Sequence, residues 1–146
     1  VEGKFKNVKD KGFLRKTRLL ARDTAPKDAT TKEIKEYRES IRKDKRSFVA
    51  ASFAELFTSP AKRVQIFFTD FFGIAKTYNR PGTSTGNWSL RLGENFEEDY
   101  YKAVAEGKAP NFANAVATAL RQRGLDKGRD ELMRNLDESA KIIANA

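Results

Sequence analysis

The chain lacks two residue types that carry much of protein chemistry, cysteine and histidine. Without cysteine there is no disulfide framework, no thiolate ligand for zinc and no cysteine nucleophile, and the composition is compatible with a reducing cytosol. Without histidine, Ser-His-Asp catalysis and imidazole metal sites are excluded as well. Carboxylates, lysines, hydroxyls and tyrosines remain as reactive groups, and we expect neither a metal nor a cofactor.

Long apolar runs are also missing. No stretch approaches the roughly 20 apolar residues that span a bilayer, and the first residues contain no apolar segment of the kind found in signal peptides. The 146 residues are 39% hydrophobic and 34% charged, which fits one domain with a single core and a poorly ordered charged edge. We expect a soluble, cytoplasmic protein without a membrane partner.

Positive charge is concentrated in one part of the sequence. The formal net charge is +9, and a surplus of eight lies in residues 1–46, so that residues 47–146 are nearly neutral. We therefore divide the chain into a basic, partly helical amino-terminal segment, 1–46, and a helical carboxy-terminal region, 47–146. The basic segment makes a nucleic-acid-binding module an alternative function, although a run of charge is more often a solvated face. Its residues are Lys4, Lys6, Lys9, Lys11, Arg15, Lys16, Arg18, Arg42, Lys43, Lys45 and Arg46.

Apolar spacing and capping signals predict three helices before residue 60. The first is short and depends on Phe13, Leu14, Leu19 and Leu20. The second covers about 31–45, because Thr30 and Glu33 have the spacing of a capping box and apolar residues then recur at helical intervals. The third follows Ser47, a good N-cap, is apolar around most of its circumference and ends at Pro60.

A β-prone run, RVQIFF, occupies residues 63–68. Apolar residues at successive positions are expected of a strand covered on both faces. No second strand of comparable quality exists in the sequence. Either the segment is helical, or its sheet partners lie outside these 146 residues, which is a first indication that the chain is a fragment.

Residues 73–86 have loop composition, with three glycines, Pro81 and four serines or threonines. Three helices are predicted beyond the loop. The first, about 96–106, has capping-box spacing at Asn95 and Glu98 and ends at Gly107. The second begins after the N-cap Asn111 and ends at Gly124. The third, near 127–144, follows Asp126, and its apolar face consists of Leu132, Met133, Leu136, Ile142 and Ile143.

The loop carries the residue types that bind sugars. Apolar faces of sugar rings stack on indole and phenol rings, whereas the sugar hydroxyls require donors and acceptors in defined directions. Aromatic rings, amides and a guanidinium are crowded here on a glycine and proline scaffold: Tyr78, Asn79, Asn87, Trp88 and Arg91. The alternative interpretation is that Trp88, the only tryptophan, fills the core and that the asparagines build turns.

This region resembles the amylomaltase family of 4-alpha-glucanotransferases. In that family an aspartate ends a barrel strand, an Asn-x-Pro-Gly-Thr turn follows, and an Asn-Trp-x-x-Arg segment closes the region beside the substrate groove. Asp70, the turn 79–83 (NRPGT) and the segment 87–91 (NWSLR) stand here in the same order and at comparable spacing. The resemblance extends from Ala54 to Arg91, with weaker similarity in the helices that follow.

The resemblance implies a role in the use of maltooligosaccharides, starch or glycogen. It assigns glucan contacts to Asp70, Tyr78, Asn79, Asn87, Trp88 and Arg91. In the family, the nucleophilic aspartate, the acid glutamate and a Thr-His-Asp segment stand on earlier parts of the barrel, and none is recognisable here. A (β/α)8 barrel also needs about 200 residues. We therefore expect a carboxy-terminal fragment of the barrel enzyme with no catalytic residues of its own, inactive alone.

The expected fold class is mainly α: a helical fragment with at most one or two short strands, derived from the end of a (β/α)8 barrel enzyme. The substrate of the complete enzyme would be an α-1,4-glucan. A third class of function, a helical docking module, predicts an apolar surface where the barrel should lie, or self-association that covers this surface.

Overall fold

Helices make up the fold of the described residues, 10–145 of the computed structural model, and no β-strand occurs among them. The mainly helical class is thereby confirmed. The helices are α1 (Lys11–Thr24), α2 (Thr31–Lys43), α3 (Lys45–Thr58), α4 (Phe68–Phe71), α5 (Phe96–Ala105), α6 (Phe112–Gln122) and α7 (Asp130–Asn145). None of these helices combines the length and the apolar composition that a membrane crossing requires.

Helix α3 is the centre of the fold and contacts α1, α2 and α6. Its apolar residues surround the helix axis, so it can be buried on more than one side at once. On one side, Phe48 and Ala51 join a cluster with Phe13 and Leu20 of α1 and Ile41 of α2. On another side, a second cluster consists of Phe53, Ala54 and Ala115 with the partly buried Phe57, Ile66 and Phe71.

Small residues let α6 pack between two neighbours, α3 and α7. Four alanines of this helix are buried, Ala113, Ala115, Ala117 and Ala119. Because residues four apart share a helix face, they form two stripes, 113 with 117 and 115 with 119. Ala115 contacts Phe53 and Ala54 of α3. The short side chains allow the helix axes to approach closely on both sides.

Several predicted helix ends are confirmed. Thr30 and Glu33 form a complete capping box at the start of α2. The side chain of Asn111 accepts a hydrogen bond from the backbone of Asn114 at the start of α6. Gly107 and Gly124 follow α5 and α6 with φ of 67° and 64°, the left-handed conformation that glycine adopts most readily.

The predicted strand at 63–68 is not formed. Residues 63–67 follow no regular structure, Phe68 begins the short helix α4, and only Ile66 and Phe68 are partly buried. A strand requires a hydrogen-bonded partner, and none is present among residues 10–145. The side chains of this segment are therefore typical of a strand, but its backbone is not paired as one.

Two predicted caps were wrong. Helix α3 begins at Lys45, because the carboxylate of Asp44 accepts hydrogen bonds from the backbone N–H and the hydroxyl of Ser47 at 2.8 and 2.7 Å. Ser47 thus lies inside the first turn. Asn95 precedes α5 but makes no side-chain cap, since its ψ of 33° is outside the extended region that an N-cap requires.

Helix α7 begins three residues later than predicted. Gly128 has a φ of 75°, which is incompatible with a helix at that position, and the N–H of Arg129 turns back to the carbonyl of Asp126. Met133 is the buried residue of this helix, whereas Leu132 and Ile142 of the predicted apolar face are exposed.

The division of the chain into a basic segment, 1–46, and a helical region, 47–146, stays a prediction.

Candidate functional site

Most of the predicted glucan-contacting residues lie in the segment between α4 and α5, residues 72–95, here called the glycine loop. Gly73 anchors its beginning against the turn after α5. A Cβ at this position would lie 2.6 Å from the carbonyl oxygen of Lys108, closer than side-chain carbons are found, and the φ of Gly73 is 64°. Only glycine fits this approach.

Phe71 attaches the same end of the loop to the core. Its ring stacks on Tyr100 of α5 with centroids 4.9 Å apart and lies 5.7 Å from the ring of Phe112 in α6. The hydroxyl of Tyr100 donates to the carbonyl oxygen of Pro110 at 2.9 Å and accepts from the N–H of Phe112 at 3.2 Å. Burial raises the pKa of Tyr100, although the hydrogen bond from Phe112 opposes the shift. The phenol is therefore neutral and fixes the turn between α5 and α6.

A backbone hydrogen bond closes the loop between the two aromatic residues of the predicted site. The N–H of Trp88 donates to the carbonyl oxygen of Tyr78 at 2.7 Å. Trp88 has a φ of 62° and is the only residue other than glycine with positive φ among residues 10–145. This conformation costs about 1–2 kcal/mol for a residue with a Cβ. The surrounding hydrogen bonds hold the tryptophan in it.

Asn87 organises the interior of the loop. Its side-chain oxygen accepts the N–H of Arg80 at 2.7 Å, and its side-chain nitrogen donates to the carbonyl oxygen of Thr83 at 2.9 Å. The hydroxyl of Thr83 also donates to the carbonyl oxygen of Arg80 at 2.8 Å. Both polar atoms of the Asn87 amide are thus used to fold residues 80–87 into a closed turn.

A group of rings, here called the aromatic cluster, lies at this closure, with two rings exposed and two partly buried. It consists of Phe67, Phe68, Tyr78 and Trp88. Tyr78 is its centre, with centroid distances of 5.6, 5.7 and 5.2 Å to Phe67, Phe68 and Trp88. Trp88 is 62% exposed and Phe67 48% exposed. The alternative interpretation, in which Trp88 fills the core, therefore does not describe this structure.

Arg91 supports the backbone that follows Trp88. Its guanidinium donates to the carbonyl oxygens of Trp88 and Leu90, the second at 2.9 Å. It makes no ion pair with Asp70 or Glu94, although both carboxylates are among the described residues. An open groove of about 350 Å3 lies beside it, and its lining mixes apolar and charged side chains: Phe72, Leu90, Leu92, Phe96, Lys76 and Asp99.

The remaining predicted residues, Asp70 and Asn79, have free polar groups. Asp70 is exposed on α4, two residues beyond Phe68, and Asn79 directly follows Tyr78. Neither side chain makes a hydrogen bond within residues 10–145. Both groups are therefore available to an external donor or acceptor.

Sequence reasoning missed Phe67 and Phe68 as members of this site. They were assigned to a strand, although a pair of phenylalanines next to an exposed aspartate was a usable signal. It also assigned Asn87 to substrate hydroxyls, whereas the structure shows the amide bonded within the loop.

No protein-family model, no curated protein and no solved structure matches this chain. The aromatic cluster and the glycine loop are therefore interpreted from their own geometry.

Proposed function

We propose that this chain is the carboxy-terminal part of a 4-alpha-glucanotransferase acting on maltooligosaccharides, starch or glycogen. In this proposal it supplies glucan contacts through the aromatic cluster and leaves the catalytic carboxylates to other parts of the enzyme. The observation that carries the proposal is the exposed indole of Trp88, held beside Tyr78 in a strained backbone conformation.

The arrangement of the cluster supports a sugar ligand. Strained backbone conformations cluster at functional sites, so the positive φ of Trp88 beside its exposed ring favours a binding role. Indole and phenol planes offer apolar surfaces to the C–H faces of glucose units. The rings of Tyr78 and Trp88 are inclined by 64°, so together they form a corner rather than a flat patch. A curved α-1,4-glucan presents both apolar faces and hydroxyl edges to such a corner.

Polar side chains complete the proposed contacts. Asp70 and Asn79 adjoin the cluster along the chain and have free hydrogen-bonding groups for sugar hydroxyls. Asn87 acts indirectly in this proposal, because it folds the turn that presents Trp88. Arg91 also acts indirectly, by holding the carbonyl oxygen of Trp88.

A binding measurement tests the proposal. Isothermal titration of the chain with maltoheptaose should show saturable binding, and Trp88→Ala should weaken it by about tenfold, equivalent to 1.4 kcal/mol. Leu132→Ala is the matched control, because Leu132 is an exposed apolar residue on α7, away from the cluster. Equal affinity of wild type and Trp88→Ala would contradict the proposal.

The chain alone should not disproportionate maltotriose, because no glycosyl ester can form on it in this scheme.

The helical docking role is compatible with the same proposal. Seven of the nine exposed large apolar side chains in the described part of the chain lie between residues 56 and 112: Leu56, Val64, Phe67, Trp88, Leu92, Phe96 and Phe112. In a larger enzyme this region would be covered in part by neighbouring structure. Analytical ultracentrifugation should then show concentration-dependent self-association of the isolated chain, and a strictly monomeric chain speaks against a docking role.

A further inference from the structure

A second site of different chemistry lies between α1 and α2. An open groove of about 380 Å3 is lined by five cationic side chains. Lys11, Arg15 and Arg18 come from α1, and Arg38 and Arg42 come from α2. Leu14 and Thr17 form the remaining wall, and Thr17 is itself buried. We call this the basic groove.

Few carboxylates neutralise the basic groove. The carboxylate of Glu39 lies 3.1 Å from the guanidinium of Arg42 and 3.8 Å from that of Arg38. The same carboxylate lies 3.9 Å from the ammonium group of Lys43. Lys11, Arg15 and Arg18 have no ion pair within residues 10–145. The Nε atom of Arg42 is buried without a hydrogen-bond partner. Among the described residues, three cations of the groove thus have no anion, and the Nε–H of Arg42 has no acceptor.

The spacing of these cations opposes helix stability. Lys11 and Arg15 are four residues apart, Arg15 and Arg18 three, and Arg38 and Arg42 four. Like charges at these separations face each other on one side of a helix and repel. Three repulsive pairs converge on one groove, where an anionic ligand would relieve all of them together.

We propose that the basic groove binds a small ligand with adjoining phosphate groups, such as an inorganic oligophosphate or the phosphate chain of a nucleotide. Arginine guanidinium groups form paired hydrogen bonds with phosphate oxygens, and four of the five cations are arginines. The groove volume is in the range of small-molecule sites, about 300–1,000 Å3.

The remaining basic residues favour a small ligand over a nucleic acid. Lys16 pairs with Glu55 at 2.6 Å, and the guanidinium of Arg46 donates to the carbonyl oxygen of Ala105. Lys43 is one of the partners of Glu39. The cations of α1 that have no ion pair among the described residues, Lys11, Arg15 and Arg18, all line this one groove, whereas a nucleic-acid backbone would require an extended track of cations. Lys4, Lys6 and Lys9 lie outside the described residues.

Titration calorimetry with sodium tripolyphosphate at physiological ionic strength tests this assignment. The wild-type chain should bind tripolyphosphate with one saturable site, and Arg15→Gln/Arg18→Gln should weaken binding by at least about tenfold, since charge-assisted hydrogen bonds are lost. Arg134→Gln/Lys141→Gln is the control, because it removes the same charge from exposed, unpaired positions of α7. The control should bind within about twofold of wild type.

A thermal readout separates ligand binding from damage to the fold. Without ligand, Arg15→Gln/Arg18→Gln should melt at the same or a higher temperature than wild type, because two repulsive pairs, Lys11 with Arg15 and Arg15 with Arg18, are removed. With tripolyphosphate, only wild type and the control should gain stability. Equal weakening in both double variants, or no saturable binding to wild type, would overturn the proposal. Binding of a single-stranded RNA without binding of tripolyphosphate would also overturn it and favour a nucleic-acid interface.

Discussion

The backbone N–H of Trp88 donates to the carbonyl oxygen of Tyr78 at 2.7 Å, and the rings of the same two residues lie 5.2 Å apart. One hydrogen bond therefore closes a turn of the chain and sets two aromatic rings side by side. The residue that donates this bond also has a φ of 62° and an exposed ring, so loop closure, backbone strain and ring exposure meet at Trp88.

Glycine at position 88 should separate backbone strain from ring contacts. Trp88→Gly and Trp88→Ala both remove the indole, but glycine adopts positive φ without strain. We expect Trp88→Gly to be more stable than Trp88→Ala by about 1 kcal/mol, measured by urea denaturation. Both variants should lose affinity for maltoheptaose equally. Equal stability of the two variants would mean that residue 88 does not hold a left-handed conformation in solution.

Removal of the Asn87 amide should loosen the turn without unfolding the protein. Asn87→Ala leaves the N–H of Arg80 without its partner, but the site is exposed, so we expect a change in the free energy of unfolding below about 1 kcal/mol. The fluorescence of Trp88 should become more easily quenched by acrylamide, and affinity for maltoheptaose should fall. Ser84→Ala, at an exposed position of the same loop, is the control and should leave both measurements unchanged.

Tyr100→Phe should destabilise the whole helical fold. The substitution keeps the ring that stacks on Phe71 but removes the hydroxyl that bonds Pro110 and Phe112. Leaving the buried carbonyl oxygen of Pro110 and the partly buried N–H of Phe112 unpaired should lower the free energy of unfolding by about 1–3 kcal/mol. Chemical denaturation of the variant checks this, and an unchanged midpoint would show that water replaces the hydroxyl. Tyr101→Phe is the matched control, because its hydroxyl bonds only the exposed Glu97.

Stability at acidic pH should depend on the capping box of α2. The hydroxyl of Thr30, and then its backbone N–H, donate to the carboxylate of Glu33 and lower the pKa of this group. The folded pKa lies below the unfolded one, so the contribution is complete above about pH 4.3 and is lost as the pH falls through the lowered value. Glu33→Gln should flatten the decline of melting temperature in that range. Glu138→Gln is the control, because Glu138 lies at an exposed position of α7 and not in the capping box. This variant should leave the decline of melting temperature with falling pH unchanged.

Local rules predicted much of the helical fold. The capping box at Thr30, the cap at Asn111 and the glycines 107 and 124 act through neighbouring residues, which a sequence displays directly. The failures involve choices between competing local partners. Asp44 captures the N–H of Ser47 and starts α3 earlier, and Gly128 adopts positive φ and starts α7 later.

Tertiary context explains the other differences. RVQIFF has the composition of a buried strand, but strand formation depends on a partner that residues 10–145 do not provide. Likewise, the sequence shows which residues belong to the candidate site but does not show how closure of the loop arranges them. The exposure of Trp88 and the role of Asn87 follow from hydrogen bonds across the loop, which no spacing rule predicts. The basic groove requires α1 and α2 to lie side by side, a pairing of helices that charge patterning alone does not reveal.

The most direct measurement follows the indole N–H signal of Trp88 by nuclear magnetic resonance during a titration with maltoheptaose. The chain contains one tryptophan, so this signal is unique and requires no assignment. We expect it to shift progressively and to saturate at the dissociation constant found by calorimetry, because the ligand contacts the ring. An indole signal that stays unchanged at saturating maltoheptaose would contradict the central claim that the aromatic cluster contacts a glucan.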